Sequence, residues 1–84
     1  MTKKITILAI DDEQDILYTL AAIGTAVGWK VHTENNSLAA ADKVAELRPN
    51  LILLDYHMPQ QNGVVTVRKI REVDSRVPII VLTI

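Results

Sequence analysis

The run Leu51-Ile52-Leu53-Leu54-Asp55 constrains this chain more than any other stretch. Four apolar residues lead directly into one acid, and Tyr56-His57-Met58-Pro59 and then Gly63 follow. A continuous Leu/Ile run of this length predicts a strand buried on both faces, as in a parallel sheet. An ionised carboxylate at its end is costly to desolvate unless its charge is compensated. Asp55 is therefore expected at the rim of the sheet, facing solvent, a metal ion or a chemical partner.

A second apolar run, Ile5-Thr6-Ile7-Leu8-Ala9-Ile10, is rich in β-branched residues and also ends in acids, Asp11-Asp12-Glu13. Acids at that point suit a helix start, where carboxylates meet the positive end of the helix dipole, so capping alone is one account of them. The helix is expected over 13–27, with Gly28 as its stop. Ile16, Leu20, Ile23 and Val27 form one stripe, with Leu17, Ala21 and Gly24 beside it. No charge occurs from Ile16 through Trp29, so this helix expects cover on more than one side. It is too short for a membrane span, which needs about 20 apolar residues.

A short mixed strand over 29–33 fits an edge, with His32 on its surface and Trp29 as a packing residue. Asn35-Asn36-Ser37 is turn chemistry with Ser37 as the expected N-cap. The second helix runs to Leu47, burying Leu38, Ala41, Val44 and Ala45, and Pro49 closes it. After the Asp55 strand a third helix uses Val64, Val67 and Ile70 as apolar positions. Arg68, Lys69 and Arg71 crowd its end as solvated cations. Residues 77–84, VPIIVLTI, make a fourth buried-type strand with Pro78 at its start. The order βαβαβαβ predicts a parallel sheet with helices on its faces, joined by right-handed crossovers.

Eighty-four residues make one small domain, and 49% hydrophobic with 23% charged residues makes it globular. A net charge of −1 argues against a nucleic-acid or anionic-membrane surface as the main partner. Without cysteine there is neither a disulfide framework nor a thiolate metal site. The apolar run near the N-terminus is brief and stops at acids, which argues against a signal peptide. The chain is read as soluble and cytoplasmic.

Doubly wound sheets place their chemistry at the carboxyl ends of strands, where strand order reverses. In the order 2-1-3-4 the first and third strands are neighbours, which brings Asp11 and Asp12 beside Asp55. Three carboxylates in one crevice repel and call for a cation. All-oxygen ligation suits Mg²⁺, and an Asp can itself serve as a covalent nucleophile. His57 lies near this site; only its backbone carbonyl is expected to matter, since the favoured ligands are oxygens.

The segments ILAIDDE, LILLD, Met58-Pro59, Gly63 and VPIIVLT, in this order and spacing across the whole chain, resemble a response-regulator receiver domain of two-component signalling. The resemblance implies a flavodoxin-like α/β fold, here a truncated βαβαβαβ with strand order 2-1-3-4, as one partial receiver domain over 1–84. It implies that Asp55 is the phosphoacceptor and Thr83 the switch hydroxyl. Asp11, Asp12, Asp55 and the His57 backbone carbonyl would hold Mg²⁺. The partner would be a sensor histidine kinase or phosphotransfer protein, and the chain a signalling acceptor rather than an enzyme with its own substrate. A Mg²⁺-dependent phosphatase fits less well, because Tyr56-His57 rather than a second acid follows Asp55.

The family pattern continues past the switch residue through a fourth helix, a fifth strand bringing a phosphate-pairing Lys, and a fifth helix. None of Lys3, Lys4, Lys30, Lys43 and Lys69 stands where that Lys would. The fourth strand is then expected as an exposed apolar edge that recruits another strand, giving a homodimer through residues 79–83. The alternative function that goes with this is a phosphorylation-incompetent self-association module.

Overall fold

The computed structural model describes residues 4–82. Strand β1 (Thr6–Ile10) leads to helix α1 (Gln14–Val27), strand β2 (Lys30–Glu34), a 3-10 turn over Ser37–Ala39 and helix α2 (Ala40–Leu47). Strand β3 (Leu51–Asp55), helix α3 (Gly63–Val73) and strand β4 (Ile79–Leu82) complete the order. All neighbouring strands are parallel, in the order β2-β1-β3-β4. The expected architecture and strand order are those observed.

Strand register divides the side chains between two faces, because alternate residues of a strand point to opposite sides. Leu8, Ile10, Ile52 and Leu54 share one face, where they bury against Ala40 and Val44 of α2 and Ile70 of α3. Met58 and Val77 close the two ends of this core. Ile7 and Ala9 face the other way, toward Leu17 of α1, and are also buried. Leu51 and Leu53 on that same face are only half-buried. β3 is thus buried on one face and half-covered on the other, not on both as its sequence suggested. The reason is placement: α1 packs over β1 and β2 and leaves β3 and β4 open on its side.

The same placement reverses the expected apolar stripe of α1. Leu17 and Gly24 are the buried positions, whereas Ile16, Ile23 and Val27 are 39%, 52% and 56% exposed. Gly24 is where the helix crosses β2. A Cβ there would overlap Val31 Cγ2 and lie 3.3 Å from Val31 Cβ, and a β-branched side chain has little rotamer freedom to retreat. Gly24→Ala is therefore expected to destabilise by about 1–3 kcal/mol through overpacking, read as a lower urea midpoint at unchanged slope. Gly28 ends the helix in the left-handed region (φ 85°), as its position in the sequence predicted.

Other assignments shift for local reasons. The cap before α2 is Asn36, whose Oδ1 accepts from the Leu38 N–H at 3.0 Å, not Ser37. Ser37 is buried, and among the described residues its Oγ has no hydrogen-bond partner. Because the chain enters α2 through a 3-10 turn, Leu38 points outward (58% exposed) and Ala45 is exposed, while Ala40 and Val44 pack. In α3 the buried face is Gly63, Thr66 and Ile70, with Val64 exposed. Thr66 tolerates burial because its Oγ1 donates to the Asn62 carbonyl and accepts from Gln61 Nε2, both at 2.9 Å. Trp29 precedes β2 and remains 39% exposed, so it packs only in part.

Candidate functional site

Asp11 follows the last residue of β1, and Asp55 is the last residue of β3. Ile10 and Leu54 are register partners, so the next residue of each strand falls at the same point of the rim. Asp12 is one step further along the loop. Each of Asp11, Asp12 and Asp55 offers a carboxylate oxygen, and these oxygens lie within 4.8 Å of one another. Asp11 is buried, Asp55 half-buried and Asp12 exposed, so the cluster opens toward solvent on one side.

Helix capping does not account for these acids. The residue at the N-cap of α1 is Glu13, whose side chain makes no capping hydrogen bond. Instead Asp11 Oδ1 accepts from the Glu13 N–H at 2.9 Å, and Asp55 Oδ1 accepts from the His57 N–H at 3.2 Å. Both bonds span two residues and lock each carboxylate against its own loop. The Asp11 N–H donates to the Glu34 carbonyl at 3.1 Å, tying the loop to β2.

Burial pushes the Asp11 carboxyl above its ordinary pKa, the Glu13 N–H opposes this, and repulsion from Asp55, Asp12 and Glu13 adds to the rise. An acid whose folded pKa is raised binds its proton more readily when folded. Its stabilising share is thus complete below the unfolded value near 3.9 and is lost as pH rises through the folded value. Asp11→Asn removes this penalty and keeps the acceptor for the Glu13 N–H. In metal-free buffer the variant is expected to be more stable than the parent at neutral pH, with the two converging as pH falls toward 4. Urea titrations across pH check this; a gap that stays constant would refute the desolvation account.

The His57 imidazole is not part of the converging cluster. It is exposed, with its ring edge-on to Tyr56 at a centroid distance of 4.9 Å and an angle of 82°. Its residue lines a shallow recess beside the acids with Asp12, Tyr56, Met58, Pro59 and Asn62. Thr83 lies outside the described residues. Two contributors were not singled out from the sequence. Asn62 borders the recess while its Oδ1 accepts from the Val65 N–H at 3.1 Å, a cap that Asn directly before a Gly-led helix could have signalled. Gln61 joins the Asp55 loop to the start of α2, its Nε2 donating to the Ser37 carbonyl at 3.4 Å, and no local pattern marks it.

Among known proteins, the model of the response regulator receiver domain matches residues 7–84, and the chain belongs to that family. It is 30% identical over 83 residues to the regulatory protein AtoC of Escherichia coli, covering 99% of this chain and 18% of that protein. It is 30% identical over 77 residues to sporulation initiation phosphotransferase F of Bacillus subtilis, covering 92% and 62% of the two. The chain therefore spans well under a third of the first relative and less than two thirds of the second. Chemotaxis protein CheY4 of Vibrio cholerae superposes with a TM-score of 0.88 at 25% identity, over 94% of this chain and 68% of that one. The receiver domain of the sensor histidine kinase PA1611 of Pseudomonas aeruginosa, solved with magnesium in its active-site cleft, gives 0.88 at 28% identity, over 96% and 68%. No described helix is long and apolar enough to cross a membrane.

Proposed function

We propose that this chain receives a phosphoryl group on Asp55 within a two-component relay. The observation that supports this most is the convergence of Asp11, Asp12 and Asp55 at the carboxyl end of the sheet. Asp55 Oδ1 is engaged by the His57 N–H, and among the described residues no hydrogen bond to Oδ2 occurs. That leaves one carboxylate oxygen for attack. The donor set is hard oxygen throughout, and Asp11 is burdened by its neighbours' charge, both of which fit Mg²⁺. Asp11 and Asp12, with Asp55 and the His57 backbone carbonyl, would hold it. When bound, such a cation offsets the carboxylate charge and the charge on the phosphoryl oxygens.

Asp55 attacks phosphorus with one oxygen lone pair, forming an acyl phosphate. The N–P bond of a phosphohistidine breaks, and the departing imidazole nitrogen keeps the electron pair and takes a proton from solvent. Asp11 and Asp12, whose carboxylate oxygens lie within 4.8 Å of that of Asp55, would hold the cation beside it. The open side at Asp12 and the His57 recess admit the donor, a sensor histidine kinase or phosphotransfer protein in the cytoplasm. Thr83, next in sequence after Leu82, is the hydroxyl that senses the new charge. Incubation with Mg²⁺ and a small acyl phosphate is the test. The expected result is a mass gain of one phosphoryl group that hydroxylamine removes; an unmodified mass in the presence of Mg²⁺ would refute the reading.

A further inference from the structure

The loop after Asp55 closes on itself where the Gly63 N–H donates to the Tyr56 carbonyl at 3.0 Å. Gly63 is buried there, and a Cβ on it would lie 3.1 Å from both Tyr56 Cα and Tyr56 Cδ2. Tyr56 Cα is main chain and cannot turn aside, so the closure favours a residue without a side chain. Helix α3 takes the preceding Asn62 as its cap, Oδ1 accepting from the Val65 N–H at 3.1 Å. The fold thus sets Asn directly before Gly. In that pairing no Cβ shields the next main-chain nitrogen from the asparagine side chain, and the side chain is most open to attack by it. Asn35, Asn36 and Asn50 are followed by Asn, Ser and Leu, each of which carries a Cβ. We infer that Asn62 is a site of spontaneous deamidation held in check by the closed loop, and that its conversion adds a permanent negative charge to the recess beside Asp12.

The reaction needs only water and a base from solvent. The Gly63 nitrogen loses its proton and attacks Asn62 Cγ; the Cγ–Nδ2 bond breaks, and the amide nitrogen takes up a proton and leaves as ammonia. Water then opens the resulting succinimide. Breaking its bond from nitrogen to Cγ gives an aspartyl residue. Breaking the bond from nitrogen to the main-chain carbonyl gives an isoaspartyl residue, with one more carbon in the main chain.

In the closed loop both reacting groups are occupied. The Gly63 proton is held against the Tyr56 carbonyl on a buried residue, and the Asn62 side chain is anchored by the Val65 N–H. Both bonds must open before nitrogen and Cγ can meet, so the rate follows the open fraction of the loop. Gln61 adds a tether beside them, its Nε2 donating to Thr66 Oγ1 at 2.9 Å and to the Ser37 carbonyl at 3.4 Å. An aspartyl carboxylate keeps the bond from Val65, and its charge is favourable at the first turn of a helix. The fold therefore survives that conversion, while the recess that Asn62 lines with Asp12 and His57 becomes more acidic. The isoaspartyl product lengthens the chain between cap and closure and draws the Gly63 N–H away from Tyr56.

Parallel incubations of the folded chain and of the chain in urea, in warm and mildly alkaline buffer, test this, with peptide mapping to locate the new acid. In urea Asn62 is expected to convert before Asn35, Asn36 and Asn50. Folded, it is expected to convert ~10-fold more slowly or less, which corresponds to an opening free energy of about 1.4 kcal/mol or more. That slowing should be no smaller than the hydrogen-exchange protection of the Gly63 amide, because deamidation must also break the bond from Val65. Gln61→Ala, with unchanged circular dichroism, is expected to narrow the gap between folded and unfolded rates. Equal rates in the two states, earlier conversion of another asparagine in urea, or a gap that Gln61→Ala leaves untouched would overturn the inference. So would slowing smaller than the exchange protection, a comparison made on the unsubstituted chain and decisive even where the variant unfolds. None of these outcomes depends on whether Asp55 is phosphorylated.

Discussion

Asp55→Asn is expected to abolish the phosphoryl adduct altogether while leaving the fold in place. An amide is close in shape to the carboxylate and its oxygen can still accept from the His57 N–H, so the loop keeps its hydrogen bond. What disappears is the oxygen proposed to attack phosphorus, and losing a nucleophile outright costs on the order of 10⁶ in rate in a well-studied covalent enzyme. Intact-mass measurement after exposure to Mg²⁺ and an acyl phosphate checks it, with peptide mapping of the parent protein beside it. Two other carboxylates stand within 4.8 Å, and transfer to Asp12 is the outcome that would sink the assignment. The same substitution removes one of the charges that raise Asp11, so the metal-free variant should also be somewhat more stable at neutral pH. Mg²⁺ affinity should fall, since one of the three proposed acidic ligands becomes neutral.

Leu54→Ala is expected to cost about 2–5 kcal/mol, the usual range for emptying a fully buried Leu. Leu54 has no exposed surface and sits beside Ile10 in the sheet, within the cluster that joins β1 and β3 to α2 and α3. Stabilities scale at roughly 0.05–0.15 kcal/mol per residue, so for a chain this small one cavity removes a large fraction of the total. A drop in urea midpoint at constant slope would report it. Leu53→Ala is the internal control. Leu53 faces the half-open α1 side, and its truncation should cost clearly less. Equal losses at the two positions would contradict the one-sided core described above.

The contrast between neighbours Leu53 and Leu54 illustrates what a sequence conceals. Both read as members of one apolar run, and the run correctly predicts a central parallel strand ending in an acid. Which of the two is sealed from water depends on where α1 lies, and α1 lies over β1 and β2. The same is true of α1 itself. Its uninterrupted apolar surface announces that more than one side needs cover, yet nothing in it distinguishes the Ile16 stripe from the Leu17 stripe. The Gly24 contact with Val31 makes that choice, because only a residue without a side chain allows such close approach. Ser37 was legible as turn chemistry but not as a buried hydroxyl, since the preceding Asn36 takes the cap.

By itself the sequence determined the order of elements, the parallel pairing and the identity of the acids, because period, length and turn chemistry act over a few residues at a time. The predicted strand order also placed acids separated by some forty positions at one rim, where the structure has them. Tertiary structure alone decided that Asp11 is buried while Asp12 is exposed, and which faces remain uncovered. Those outcomes depend on register and on where each helix comes to rest, and both are settled by packing between segments that are distant along the chain.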